Sequence, residues 1–480
     1  MRSSERRANY AIAAVLVLLG IAALRDLAHL GELSPWRTMD DFPDFYCAGA
    51  VLQAGKSPYT YEPLRTCEHR VNAGDTFRAQ LFAANPAIAI PAPLPPYDFV
   101  PFMGLARLPF HAARAIDAAA ILAAVAFCVI ALSKVCVPFE LSLPALVLST
   151  AYMELNTGQI VPFALLALVL CALALARRHD RLAGVLAVLT AIEPAVGLPV
   201  VLATLLFVPG ARLATVVTAG FLAVVALTLV SPQTLFQYTT VVLPAQAASE
   251  VHFPFQYSLT YALAHLGLRV PAAIGAGAAS YAAMLVTGLV LAPALTRRLA
   301  RRELLVFVPA LCSVIGGTYL HAEELCFGLP ALLVLTTITR GWTRNVLALA
   351  LCALSIPWIL VWGSKKLFLA SVFVCAVILF CAGVGRRLAI VSLCLTGLLI
   401  YIFELHPPHL PVPSFRGTYA SNALVQDEWK HYAQGRSSAD PLWFAIKLPA
   451  WAALLAALGI VVRTGRSRSD LRRVELTREG

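Results

Sequence analysis

The amino-acid sequence predicts an all-α polytopic membrane protein, and three observations carry that expectation. Of 480 residues, 59% are hydrophobic and only 13% are charged, whereas a soluble domain carries about 25% charged residues. Mean hydropathy is +0.77, and apolar runs of about 17–25 residues recur, the length that crosses a bilayer as a helix. The Lys and Arg behind the net charge of +11 gather between those runs: "MRSSERR", "ARRHDR", "TRRLARRE", "TRGWTR", "GRR" and "RTGRSRSDLRR". That is the positive-inside pattern of membrane topology, so the charge does not indicate nucleic-acid binding. Lipid offers backbone groups no hydrogen-bond partner, so the spans are helices.

The elements follow in order. Residues 10–24 have the basic flank and length of a signal peptide but no small-residue cleavage site after them, and read as a retained signal-anchor helix. Both termini then lie in the cytoplasm, and residues 25–110 form a long first extracytoplasmic loop. It holds three aspartates in five residues, Asp40, Asp41 and Asp44, and a proline-rich stretch at 86–99. Cys47 and Cys67 share this loop; a bridge and two separate thiols are both open. Spans follow near 115–135, 141–155 and 160–176, which places "ELNTGQ", residues 154–159, at the outer surface. The run 182–207 is interrupted at "IEPAVG", residues 192–197, and reads as two short helices with an outer elbow at Glu193. A span at 211–230 leads to an outer loop, 231–269, and a span at 270–295 returns. Residues 304–319 rise to "GTYLHAEE", and 325–338 descend. Spans near 346–361, 367–382 and 388–403 precede an outer loop at 404–441 and a last helix at 442–462. The expected count is about 12–14 spans. The organisation is therefore 1–24 anchor, 25–110 outer loop, 111–403 membrane core, 404–441 outer loop, and 442–480 last helix with a basic tail.

The polar and titratable residues of the spans converge on the outer face. Asp at a helix start can cap free backbone N–H groups, and a carboxylate in a dehydrated cleft can also serve as a general base. His321, followed by Glu323 and Glu324, stands at the end of a hydrophobic run, where ionisable groups are functional candidates. Glu193 interrupts an apolar run and needs a polar cavity or a partner. Asn156 and Gln159 fit either a turn cap or a binder of sugar hydroxyls. No spacing matches a zinc signature, so no metal is expected. No phosphate loop, dinucleotide fingerprint or nucleophile elbow is present.

In their order these motifs resemble glycosyltransferase family 87, the polyprenyl-phosphate-mannose-dependent mannosyltransferase-like proteins. The first loop reads Asp41-Phe42-Pro43-Asp44-Phe45-Tyr46, then Gly55-Lys56-Ser57-Pro58-Tyr59, and spacing places Asp41 at the family's acidic position. "PAPLPPYDFVPFMGLARLPF", "NTGQIVPFALLAL", "LAGVLAVLTAIEPAVGLPV", "FQYSL" and "GTYLHAEELCFGLPALLVL" are similar to the family's later segments. Glu193 departs from the family, which usually carries Lys there. The resemblance implies a GT-C-type bundle in the plasma (inner) membrane. It implies inverting transfer of one sugar, mannose or a similar one, from a polyprenyl-phosphate donor. The acceptor would be an extracytoplasmic glycolipid, glycan or protein of the cell envelope. The donor is a substrate, and no cofactor is implied. The expected partners are the lipid bilayer, the donor and the acceptor, with no nucleic acid. The expected catalytic residues are Asp41, its alternate Asp44, and His321; the expected binding residues are Tyr46, Tyr59, Asn156, Gln159, Glu193, Gln256 and Glu324. A lipid-linked-sugar flippase without catalysis, or a non-catalytic scaffold, is the competing expectation.

Overall fold

The computed structural model describes residues 3–29, 39–72, 82–83, 85–359, 365–406, 420, 422–435 and 441–466. Among them the protein is helical without strands, and two isolated bridges, Thr60–Leu424 and Gln256–His321, are its only β pairing. It is an all-α polytopic membrane protein. Four helices among the described residues are long and apolar enough to cross a membrane: Phe110–Lys134, Pro209–Leu229, Val270–Leu299 and Pro441–Gly465. Shorter apolar helices, including Val161–Ala176, Pro194–Phe207 and Leu304–Ser313, fill the space between them.

Leu304–Ser313 is the hub. Every residue in it is buried, and it packs against Val270–Leu299, Pro194–Phe207 and Val161–Ala176. An apolar helix buried all round needs no polar face. Arg212–Leu229 is the opposite case. Leu213 is 77% exposed and Phe221 63%, as a helix facing hydrocarbon requires.

The helix expected at 304–319 stops at Ser313. Ten residues rise only about 15 Å, half of a bilayer core. Gly316-Gly317 follows, and residues 320–322 pair with residues 255–257 through Tyr257 N to Leu320 O (2.7 Å) and Ala322 N to Phe255 O (3.1 Å). Glycine makes continued helix costly, and the pairing with 255–257 supplies the backbone partners instead. The elbow at Glu193 is present: Asp180–Leu189 ends in a 3-10 turn, Thr190–Ile192, and Pro194–Phe207 begins anew, with Glu193 extended between them. The stretch expected as an outer loop at 231–269 is largely helical, with Pro232–Gln237 running through the π turn Tyr238–Val242 into Leu243–Glu250. Within the loop expected at 404–441, residues 407–419 lie outside the described residues, and Val425–Gly435 is a helix.

The first loop folds as a cap with its own core. Phe42–Gln53 and Tyr61–Asn72 pack together and are tied by a Cys47–Cys67 disulfide. Phe42, Phe45, Tyr59, Leu64, Phe99 and Phe102 are its buried centre. Gly49 lets Phe42–Gln53 lie directly on Val100–Leu105, because a Cβ there would sit 2.5 Å from the Phe102 carbonyl carbon.

Candidate active site

The site begins where the cap meets the membrane helices. The helix Phe139–Leu146 continues through the π turn Val147–Ala151 into Tyr152–Thr157 and ends at Gly158, whose φ of +73° suits glycine. A Cβ there would come 3.1 Å from both Met39 and Phe42. The open carbonyls of this helix end accept from the cap: Asn156 O from Asp40 N–H at 3.0 Å, and Thr157 O from Asp41 N–H at 2.7 Å. The cap motif is thereby latched to the "NTGQ" turn.

Asp41 is the N-cap residue of Phe42–Gln53, but its side chain makes no capping bond. Gln159 Nε2 instead donates to Asp41 Oδ2 at 2.5 Å. The residue is partly buried. Asp44, three residues on, is only 2% exposed within the first turn of the same helix. The two acids therefore occupy different environments.

His321 sits on the segment after Ser313. Its backbone N–H donates to Glu324 Oε2 at 2.8 Å, and its Nε2 lies 3.2 Å from Glu250 Oε2. Gln256 supports the same segment, its Oε1 accepting Leu320 N–H at 2.9 Å. Its Nε2, fully buried, has no partner among the described residues. Lys447 steadies the neighbouring 254–257 segment. Its Nζ donates to Pro254 O at 2.5 Å and Trp443 O at 2.7 Å, 4.2 Å from the Tyr261 ring centre. Trp451 Nε1 adds a bond to Tyr257 O at 2.9 Å.

Acids crowd this floor. Glu193, from the elbow, hydrogen-bonds Glu324. Two carboxyl groups can share a hydrogen bond only when one carries the proton. Burial pushes Glu193 up to about 7, and the bond to Glu324 and the nearby His321 moderate the rise. Asp98, next to the elbow, is raised well above the carboxylate range by burial and by Glu193. Burial alone would push His321 down, but the hydrogen bond and charge of Glu250, with Glu323 and Asp41 beyond, outweigh it and hold the imidazole at about 9. His321 is therefore a cation at neutral pH. Asp41 lies within electrostatic reach of His321, Glu323 and Glu154. A partly buried carboxylate and a cationic imidazole thus lie within electrostatic reach of each other. Such a pair suits proton removal from a hydroxyl at one end and stabilisation of a departing anion at the other.

The structure thus brings together Asp41, Gln159, Glu193, Gln256, His321 and Glu324 from five separate parts of the chain. It does not bring in the tyrosines. Tyr46 OH donates to Leu108 O at 2.9 Å and Tyr59 OH to Leu94 O at 2.7 Å, and both rings are buried in the cap. The Asn156 amide donates to Tyr152 O at 2.7 Å, within its own helix. Glu250 and Gln246 belong to the site and stood out in no motif, while Glu154 heads the "ELNTGQ" stretch. The one signal for Glu250 is a single acid closing an otherwise uncharged helix, Leu243–Glu250. Among the described residues no group of three His, Cys, Asp or Glu is placed to hold a metal ion.

The fold and the cluster of titratable groups define a polytopic membrane protein with an acid-rich candidate site. The family model Glycosyltransferase family 87 matches residues 94–320. Over that stretch the chain is similar to glycosyltransferase family 87. The matched stretch contains Gln159, Glu193 and Gln256 and ends beside His321; the Asp41 motif lies ahead of it. No curated protein and no solved structure matches the chain.

Proposed function

We propose that this protein moves one sugar, mannose or a similar one, from a polyprenyl-phosphate donor to a glycolipid, glycan or protein hydroxyl on the extracytoplasmic side of the plasma membrane, with inversion and on a GT-C-type bundle. The observation that carries the reading is a partly buried Asp41, held by Gln159, within electrostatic reach of a cationic His321. Asp41 takes the acceptor's proton. The acceptor oxygen bonds to the anomeric carbon as the bond from that carbon to the phosphate oxygen breaks. The electron pair leaves with the phosphate, and His321 receives its charge. One base opposite the leaving group suffices for a single displacement with inversion.

Burial disfavours Asp44 as the base, since an acceptor must reach it. The Cys47–Cys67 bridge supports placing the cap outside, where disulfides persist. Glu193 stands where the family usually has Lys, and its proton-sharing with Glu324 supports a role toward neutral hydroxyls rather than toward the phosphate. The donor and acceptor are substrates, and no cofactor enters the scheme.

The test is sugar transfer from a defined polyprenyl-phosphate sugar in membranes carrying Asp41→Asn or Asp44→Asn. Asp41→Asn is expected to abolish transfer while Asp44→Asn retains it. Full activity in Asp41→Asn with none in Asp44→Asn assigns the base to Asp44 instead. Translocation of the lipid-linked sugar by purified wild-type protein, without transfer, makes it a flippase.

A further inference from the structure

Glu250 closes the helix Leu243–Glu250, and it is held on both carboxyl oxygens. Its Oε2 meets His321 Nε2 at 3.2 Å, and its Oε1 accepts from Gln246 Nε2 at 3.3 Å. Gln246 Nε2 also reaches Tyr319 OH at 3.4 Å, and Gln246 Oε1 accepts from Gln426 Nε2. Gln426 belongs to Val425–Gly435, which packs on Leu243–Glu250. A relay of side chains therefore runs from a helix late in the chain to the imidazole. Glu250 is 8% exposed, so its carboxylate is largely shielded from water.

The imidazole has two edges, and only one is spent. Nε2 faces Glu250. Nδ1 has no hydrogen-bond partner among the described residues, and the side chain keeps 16% exposure. A ring pinned at Nε2 by a carboxylate has its orientation fixed and its protonated form favoured. We propose that Glu250 is a positioning residue that pins His321 by Nε2 and keeps it cationic, so that its Nδ1–H edge receives the phosphate of the donor lipid. This rests on the transfer reading above.

The groups facing His321 are Glu250 from its helix, Tyr319 on the same segment, Glu323 and Glu324 just after it, Glu193 from the elbow and Asp41 from the cap. Glu250 alone among these carboxylates bonds the ring. Replacing it by an amide keeps a similar shape and removes the charge. A close opposite charge moves an ionisable group by about 1–3 units.

The experiment is an NMR titration of the full chain in nanodiscs with ¹⁵N-labelled histidine, the His321 signal being identified by its loss in His321→Gln. Undecaprenyl phosphate binding is measured on the same samples at pH 8. Glu250→Gln is expected to move the His321 titration down by about 1–3 units and to weaken undecaprenyl phosphate about tenfold, the equilibrium change that goes with one unit. Glu250→Asp, which keeps the charge, is expected to restore both and shows that the fold persists. An unmoved titration in a folded Glu250→Gln protein overturns the proposal. A moved titration with unchanged undecaprenyl phosphate affinity overturns the phosphate assignment. Both shifts together, in a wild-type protein that transfers no sugar, uphold Glu250 and overturn the transfer reading instead.

Discussion

The two ends of the candidate site solve opposite problems. At the cap end, Asp41 accepts a hydrogen bond from the neutral Gln159 amide and is partly buried. At the other end, His321 is wrapped by Glu250, Glu323 and Glu324 and fixed through backbone and ring together. An acid held by a neutral donor keeps its capacity to accept a proton. An imidazole held by acids keeps its charge. In the proposed reaction the base stands at one end and the cation at the other, although carboxylates dominate both.

The largest expected effect breaks the cap end. Asp41→Asn removes the base and is expected to lower the rate about 10²–10⁴-fold, with the protein still folded by its thermal transition in detergent. Next, His321→Gln removes the cation and is expected to cost about 10²–10³-fold in kcat, the usual loss of one transition-state donor. Comparable rates in either variant and wild type would remove that end from the mechanism.

Gln159→Leu sharpens the comparison, because it leaves Asp41 in place without its aim. A hydrogen bond to a charged group is worth about 1.5–3 kcal/mol, so transfer is expected to fall about 10- to 100-fold. Gln159→Glu places a like charge there and is expected to be worse than Gln159→Leu. Measured rates in the reverse order would show that Gln159 does not orient Asp41.

The pH profile distinguishes the ends without mutation. His321 titrates at about 9 in the folded protein, above the ordinary value of about 6.5. Its folded pKa is raised, so the stabilisation from its carboxylate partners is complete below pH 6.5 and fades as pH rises through about 9. Thermal stability and transfer are both expected to decline over that window. A flat profile between pH 7 and 10 would contradict the cationic assignment.

The smallest catalytic effect is expected in the cap's scaffold. Tyr59→Phe removes only the bond to Leu94 O, worth about 1 kcal/mol of stability, and is expected to leave transfer unchanged. A marked fall in transfer would return Tyr59 to the binding surface.

Several parts of this arrangement were legible in the residues. The break at "IEPAVG" announced an elbow because Glu-Pro cannot sit in a lipid-facing helix interior. The "NTGQ" turn announced a helix end through Gly158. Other parts were not. The apolar run 304–319 reads as one span, yet it stops at Ser313 because a second segment, 255–257, takes over its backbone hydrogen bonds. Glu250 carries no motif, since its meaning comes from a histidine 71 residues away. Tyr46 and Tyr59 look like binding residues within their motif, and only the positions of Leu108 and Leu94 show where their hydroxyls go.

The sequence by itself determined the membrane class, the order of apolar helices and basic turns, and the stretches in which chemistry-bearing residues reside. Hydropathy and charge are local sums, and they act before any contact forms. Only the tertiary structure decided that Asp41 rather than Asp44 is accessible, that Gln159 aims it across 118 residues of chain, and that Glu250 holds His321. Each of these depends on a contact between distant segments, and burial and charge pairing at a site are set by which segments meet there.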